Sequence, residues 1–217
     1  MNGESRRPLK TRAKNWPRQL AFALVRLGLT PNQVSVASVF VATVGAAALW
    51  LCGRLEGPAE AAFFVLAAGC IQLRLLCNLL DGLMAVEGGL KTKTGEIFNE
   101  FPDRIADVLL LASAGYSVAT DCEHSLVLGY LCAIAAVLTA YVRAFGGAAG
   151  LPQDFCGPMA KQHRMFALTL ACVLSAVEVA GAWPHRVMLL ALGIIFLGAL
   201  LTAARRGARI AARLNAP

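Results

Sequence analysis

The side chains best suited to chemistry lie in one stretch that begins at residue 74, RLLCNLLDGLMAVEGGLKTKTGEIFNEFPDRIAD. Arg74, Asn78 and Asp81 are spaced four and three residues apart, so they share one face of a predicted helix. The next predicted helix repeats this spacing with three acidic residues, Glu100, Asp103 and Asp107. Charged groups inside a membrane helix usually face a cavity or a partner. The two polar stripes are therefore predicted to face each other across a helical hairpin.

Clustered carboxylates and amide oxygens are the ligands that hard divalent cations such as Mg²⁺ or Mn²⁺ prefer. The predicted metal ligands on the two stripes are Asn78, Asp81, Asn99, Glu100, Asp103 and Asp107. Phosphates held by a metal ion, next to a carboxylate that acts as a base, are the usual parts for substitution at phosphorus. The stretch therefore predicts a metal-assisted transfer at a phosphate group.

Basic residues near the same end of the predicted helices are candidates for binding substrate phosphates: Lys91, Lys93, Arg143, Lys161 and Arg164. Each of them has a second interpretation. Lys91 and Lys93 fit the excess of basic residues found in cytoplasmic loops, and Lys161 and Arg164 share this ambiguity. Arg143 stands at a helix end, where an arginine side chain can instead extend to the lipid headgroups as an anchor.

The acidic residues also have structural interpretations. Asp81 and Asp103 can hold two membrane helices together as buried polar contacts. Glu100 lies near the membrane surface, where an acid in the first turn of a helix is solvated. Asp107 lies deeper, and Arg74 on the facing stripe offers it an ion-pair partner in place of a metal ion. The sequence leaves both interpretations open for each residue.

The spacing resembles the signature of the CDP-alcohol phosphatidyltransferase family, Asp-x2-Asp-Gly-x2-Ala-Arg-x8-Gly-x3-Asp-x3-Asp. Five positions match, with the eight-residue gap intact: Asp81, Gly82, Ala85, Gly95 and Asp103. Three positions depart from it, because Asn78 and Asn99 stand where the signature has aspartate and Val86 stands where it has arginine. The chain is thereby identified as a divergent member of the family.

The resemblance extends to residues 30–32 and 157–161, which resemble the family's entries to its first and fifth spans, and it covers residues 28–205. It implies an enzyme that transfers a phosphoalcohol group, such as phosphatidyl, from a CDP-alcohol donor to a hydroxyl acceptor and releases CMP. It also implies two divalent ions among the motif acids, Asp103 as the base, and a homodimer. Substrate contacts are implied at Gly82, Ala85 and Gly95.

Two other functions stay open. The aligned positions offer two negative charges, at Asp81 and Asp103, where the family pattern has four, and this fits a catalytically inactive member. The acidic cluster also fits a small cation transporter. A transporter usually places its polar site at the bilayer midplane between inverted repeats, whereas this cluster lies mostly at one membrane face.

The elements that must position these residues are predicted from composition. The chain has 217 residues, of which 58% are hydrophobic and 15% charged, against ~25% charged in soluble domains. The apolar residues form six runs near the length of a bilayer span: residues 34–51, 61–80, 97–119, 125–141, 165–183 and 187–203. Residues 13–29 have the spacing of an amphipathic helix at the membrane interface. The predicted fold is an all-α integral membrane protein with six transmembrane helices preceded by an interfacial helix.

Three segments follow from this layout: a basic N-terminal segment with the interfacial helix, a six-span membrane domain and a basic cytoplasmic tail, at residues 1–29, 30–205 and 206–217. Basic residues concentrate at both ends and in two loops on the same side. The positive-inside rule therefore predicts that both termini are cytoplasmic, at the inner membrane if the protein is bacterial. The net charge is +7. Because the basic residues flank apolar runs, anionic lipid headgroups are the predicted partners, and nucleic acid is not.

Overall fold

A computed structural model describes residues 15–184 and 186–215, and within these ranges all regular structure is helical. The described part contains α1 (Asn15–Arg26), α2 (Pro31–Cys52), α3 (Pro58–Val86), α4 (Gly95–Tyr116), α5 (His124–Ala148), α6 (Lys161–Ala180) and α7 (Val187–Leu214). The basic segment predicted at residues 1–14 and the last two residues of the predicted tail lie outside the described residues.

Five of these helices, α2, α3, α5, α6 and α7, are long and apolar enough to cross a membrane. The chain is therefore an all-α integral membrane protein. The prediction also counted α4 as a span, but α4 carries several charged residues: Glu96, Glu100, Asp103, Arg104 and Asp107. Asp103 and Asp107 are buried, whereas the exposed side chains farther round the helix include Phe101, Ile105 and Val108. α4 thus turns Asp103 and Asp107 into the protein and apolar groups outward.

Six of the helices close into a ring in the order α2, α3, α6, α7, α5 and α4, and α1 packs on α3 from outside. Small residues allow close contact between neighbours in this ring. A side chain at Gly115 of α4, for example, would place its Cβ 2.5 Å from the backbone oxygen of Ser125 on α5. The order of the ring places α3 between α2 and α6, and it places α4 between α2 and α5.

The predicted spans overlap the observed helices, but their ends need correction. On the side rich in basic residues, α3, α5 and α7 continue past the predicted ends at residues 80, 141 and 203. On the opposite side, α4 and α6 end before the predicted residues 119 and 183. Apolar composition marks only the part of a helix in hydrocarbon, and a helix can continue into the headgroup region. Residues 206–214 of the predicted tail accordingly belong to α7.

Candidate active site

Asp103 is buried on α4 and is held by side chains from two other helices. Its Oδ1 accepts hydrogen bonds from Nη2 of Arg74 at 3.3 Å and from Nδ2 of Asn78 at 2.6 Å, both on α3. Nη2 of Arg74 also donates to the backbone oxygen of Asp103 at 3.1 Å. Lys161, the first residue of α6, forms an ion pair with Oδ2. These contacts fix the orientation of the Asp103 carboxylate.

Asp107 lies one turn further along α4, fully buried between two arginines. Its Oδ1 is 2.9 Å from Nη2 of Arg74, and its Oδ2 is 2.5 Å from Nη2 of Arg164. The predicted pair of Arg74 and Asp107 is therefore confirmed, and Arg164 extends it to a buried group of three charges. Both carboxylate oxygens of Asp107 are engaged, so metal binding by Asp107 would require these contacts to break. Arg164, predicted to bind phosphate, is likewise buried in this pair.

Asp81, the other motif aspartate, is buried near the end of α3 and contacts the beginning of α2. Oγ of Ser35 donates a hydrogen bond to its Oδ2 at 2.5 Å. Ser35 is positioned by a strong helix start, because Thr30 and Gln33 form a reciprocal capping box at the N-terminus of α2. Asp81 is three residues from Asn78, which reaches Asp103, so the two motif aspartates lie at the same end of the ring.

Glu100 turns toward α5, although its spacing placed it with Asp103 and Asp107. Its Oε1 and Oε2 both lie 2.6 Å from Nη2 of Arg143, at the end of α5. Nη2 of Arg104 lies 3.7 Å from Oε2 of Glu100 and 3.6 Å from Oδ2 of Asp103. Arg104 therefore connects the Glu100 pair to the buried cluster.

A cavity of about 980 Å³ lies beside this connection, between the first half of α4, the end of α5 and the loop after α5. Its polar lining includes Glu96, Glu100, Arg104 and Arg143. The walls also include apolar side chains such as Phe101 and Leu151. Neither motif aspartate lines the cavity, and Arg104 lies between the cavity and Asp103.

The loop between α5 and α6 is fastened to α7, and this holds the start of α6 in place. Arg206 donates to the backbone oxygens of Cys156 at 2.9 Å and Thr139 at 2.8 Å. Burial alone would raise the pKa of Asp154, but hydrogen bonds from Cys156 and Arg209 outweigh this effect and lower the pKa from its ordinary value. The loop contacts therefore support the position of Lys161.

The remaining predicted site residues lie further from the buried aspartates. Asn99, Lys91 and Lys93 are exposed. The described contacts include no hydrogen bond or ion pair between any of these three and Asp81 or Asp103. Three motif residues with small side chains are partly buried at the facing ends of α3 and α4: Gly82, Ala85 and Gly95. The structure thus brings together Asn78, Asp81 and Asp103 at one end of the ring and leaves Asn99 and the loop lysines outside this group.

The donor set at the motif positions fits a divalent ion. Asp81 and Asp103 supply two carboxylates, and Asn78 supplies an amide oxygen, because its nitrogen is directed at Asp103. Two carboxylates together with substrate phosphates are an ordinary set for Mg²⁺. Within the described residues, no three acidic, histidine or cysteine side chains converge as a ready metal cluster. The acids are instead held by neighbouring cations and by Ser35.

Three contributors to this arrangement were not predicted from the sequence: Ser35, Arg104 and Arg206. Ser35 follows the Thr30 cap by about one turn, and a serine at the start of an apolar span is a signal that could have been used. Arg104 is adjacent to Asp103 in sequence, but its link to Glu100 depends on how α4 is rotated. Arg206 was assigned to the tail, but α7 extends beyond it, and its side chain is buried inside the bundle.

Comparison with known proteins gives a match between residues 28–211 and the sequence profile of CDP-alcohol phosphatidyltransferases. The phosphatidylinositol phosphate synthase of Mycolicibacterium smegmatis is 32% identical over 140 residues, which cover 63% of this chain and 59% of that protein. The synthase of Mycobacteroides abscessus is 28% identical over 189 residues, 86% of this chain and 80% of that protein. The match to the first relative thus spans less than two thirds of its length.

Solved structures show the same fold. The phosphatidylinositol phosphate synthase of Mycobacterium tuberculosis with CDP-DAG bound superposes with a TM-score of 0.76 at 22% identity, covering 91% of this chain and 94% of that one. The same enzyme in complex with manganese and citrate gives a TM-score of 0.75, covering 89% of this chain and 88% of that one. At this level of identity, the likeness establishes the fold.

Proposed function

The chain belongs to the CDP-alcohol phosphatidyltransferase family, and we propose that it transfers a phosphatidyl group from CDP-diacylglycerol to a hydroxyl acceptor, with release of CMP. The observation that carries this proposal is the pair of buried motif aspartates, Asp81 and Asp103, at the same end of a ring of membrane helices. The family match and the structure of a relative with CDP-DAG bound support the choice of donor.

In the proposed reaction, Asp103 is the general base. Arg74 and Asn78 hold its Oδ1, so Oδ2 is the oxygen that takes the proton from the acceptor hydroxyl. The acceptor oxygen forms a bond to the phosphorus that carries the diacylglycerol, and the bond from that phosphorus to CMP breaks. Lys161 forms an ion pair with Oδ2, so it must move away before this oxygen can take the proton. Its ammonium group then contacts the donor phosphate. Asp107 and Arg164 act as positioning residues through Arg74.

A divalent ion, Mg²⁺ or Mn²⁺, would be held by Asp81, Asp103 and the amide oxygen of Asn78. As at Asp107, binding at Asp103 would require some of its present contacts with Arg74, Asn78 and Lys161 to change. When bound, such an ion neutralises phosphate charge and makes the phosphorus easier to attack. The two carboxylates balance the charge of one ion. The second ion that the family resemblance implies would depend on Asn99 and on substrate phosphate oxygens for its ligands. A manganese complex of a relative with the same fold supports the choice of metal.

The cavity between α4 and α5 is the proposed acceptor site. Arg104 lies in its wall and contacts both Glu100 and Asp103, so Arg104 would have to move for an acceptor hydroxyl to reach Asp103. The surfaces of Gly82, Ala85 and Gly95, at the ends of α3 and α4, are the proposed contacts of the donor's CDP group. Lys91 and Lys93 lie on the exposed loop between these helices. They are proposed to contact the phosphates of the donor only after the donor has bound.

The proposed topology has six spans, with α4 as the sixth. At about 1.5 Å per residue, the 22 residues of α4 reach about 33 Å, which is enough to cross hydrocarbon. α1 is proposed to lie in the interface, since Trp16 and Phe22 are exposed and Arg18 pairs with Glu87 at the end of α3. The basic loops support two cytoplasmic termini, at the inner membrane in a bacterium. The three predicted segments and the homodimer are retained as proposals that rest on the family resemblance.

The test uses the purified full chain reconstituted in lipid, with CDP-diacylglycerol and Mn²⁺, against a panel of acceptors. The panel contains inositol, glycerol, serine and their phosphorylated forms where these exist. We expect CMP release together with a new phospholipid for at least one acceptor. Cation uptake into vesicles without CMP release would favour the transporter, and neither activity in protein that binds CDP-diacylglycerol would favour an inactive family member.

A further inference from the structure

The cavity beside α4 contains two arginines, and both already have carboxylate partners. Nη2 of Arg143 lies 2.6 Å from both oxygens of Glu100, and the Arg143 side chain is only 15% exposed. Its guanidinium also lies over the ring of Phe155, at 5.3 Å from the centroid. Arg104 is shared between Glu100 and Asp103. Nη2 of each arginine is thus engaged by carboxylates, whereas the buried Nε atoms of Arg104 and Arg143 have no hydrogen-bond partner among the described residues.

The charges that line the cavity also balance. Arg104 and Arg143 bring two positive charges, while Glu96 and Glu100 bring two negative ones. Of the other buried cations described, Arg74, Lys161 and Arg164 face Asp103 and Asp107, while Arg206 donates to backbone oxygens. A phosphate group entering the cavity would compete with Glu100 for Nη2 of Arg143, and it would lie beside the Glu100 carboxylate. Glu100 is 43% exposed, so the main obstacle is the repulsion between its carboxylate and the phosphate.

A net-neutral polar acceptor meets neither obstacle. Hydroxyl groups can donate to the outer oxygens of Glu96 and Glu100 without separating an ion pair. The apolar walls, which include Phe101 and Ile105, suit the carbon skeleton of a small polyol. The cavity therefore provides hydrogen-bond acceptors for hydroxyls, and its lining carries no net positive charge to attract an anion.

We infer that Glu100 is a specificity-determining residue, which keeps Arg143 occupied and so selects a hydroxyl acceptor without a phosphate group. This inference rests on the proposed function and deepens it, since it names the acceptor class. It also separates this chain from the relatives named above, whose names refer to phosphatidylinositol phosphate. The proposed donor and the proposed roles of the motif aspartates stay the same.

The experiment compares matched acceptor pairs, inositol with inositol phosphate and glycerol with glycerol phosphate, in the reconstituted full chain. The ratio of kcat/KM should favour the unphosphorylated member about ten-fold or more, which corresponds to about 1.4 kcal/mol. Glu100→Gln should move this ratio toward the phosphorylated acceptors by about ten-fold, because it frees Arg143. The matched control is Glu96→Gln, which removes the same charge from the cavity but leaves the Glu100–Arg143 pair, so the ratio should move much less.

Calorimetric binding of the same acceptors in the absence of donor is the second measurement, and it reports even if no transfer is detected. A wild-type preference for the phosphorylated acceptors, in kcat/KM or in binding, would overturn the inference. Equal shifts in Glu100→Gln and Glu96→Gln would also overturn it, since net charge alone would then explain the selection. A total lack of CMP release with intact selective binding would count against the proposed function and support the acceptor class.

Discussion

The inner face of α4 and the loop between α3 and α4 carry charges of opposite sign under different constraints. On the inner face, Asp103 and Asp107 are buried and receive cations from α3 and α6. On the loop, Lys91 and Lys93 are exposed and have no described partner. A charge buried among membrane helices must be paired, so its position is fixed by the fold, whereas a solvated loop charge is free until a ligand arrives. Each prediction below tests one side of this contrast.

The largest expected effect is on stability, at Asp107. Asp107→Leu leaves Arg74 and Arg164 without their shared partner, and breaking a buried pair in this way costs about 3–5 kcal/mol. Thermal unfolding in detergent measures the loss. Adding Arg164→Leu should recover part of it, because Arg164 has no second carboxylate partner among the described residues. Adding Arg74→Leu instead should recover less, because Arg74 also holds Asp103. If Asp107→Leu with Arg164→Leu is no more stable than Asp107→Leu alone, Asp107 and Arg164 do not act as a pair.

The next effect is on catalysis. Asp103→Asn and Asp81→Asn should each fold normally and lower CMP release by about two orders of magnitude or more, the scale for loss of a general base or a metal ligand. The matched control is Asp121→Asn, in the connection between α4 and α5 at the other end of the bundle, which should stay close to wild type. Near-normal turnover in Asp103→Asn would remove it from the role of base.

Much of the arrangement on the inner face of α4 could be predicted from the sequence. The spacing of Arg74, Asn78 and Asp81 placed them on one helix face, and depth together with the facing stripes paired Arg74 with Asp107. The family resemblance on the motif residues is confirmed. What the spacing could not supply is the rotation of α4 about its axis, which sends Glu100 to Arg143. Contacts that require a third helix, such as Arg164 with Asp107, also depend on packing and are absent from any local pattern.

A smaller effect concerns the two asparagines of the motif. Asn78→Asp should tighten Mn²⁺ binding by about ten-fold, or about 1.4 kcal/mol, because it adds a carboxylate beside Asp103. Asn99→Asp should change binding less, since Asn99 is exposed. Calorimetry in the absence of substrate gives both affinities and the number of ions bound. A larger gain at Asn99 than at Asn78 would show that the ion lies nearer the start of α4.

The smallest effect is expected on the loop. Lys91→Ala and Lys93→Ala should each change kcat/KM for CDP-diacylglycerol by less than about five-fold, because exposed charges contribute about 0–1 kcal/mol. Lys161→Ala, measured in the same assay, should cost considerably more, since Lys161 contacts Asp103. Adding salt should reduce the loop effect and change the Lys161 effect less. A loop effect as large as that of Lys161 would place the lysines in the bound site.

The most direct test of the central claim is the dependence of CMP release on the acceptor and on a divalent ion, measured with the wild-type chain in lipid. Transfer requires one CMP for each new phospholipid formed, no CMP when the acceptor is omitted, and loss of activity after chelation that Mn²⁺ or Mg²⁺ restores. CMP release that continues without an acceptor would show hydrolysis of the donor instead. Phospholipid formation that is unchanged by chelation would contradict metal-assisted transfer at Asp81 and Asp103.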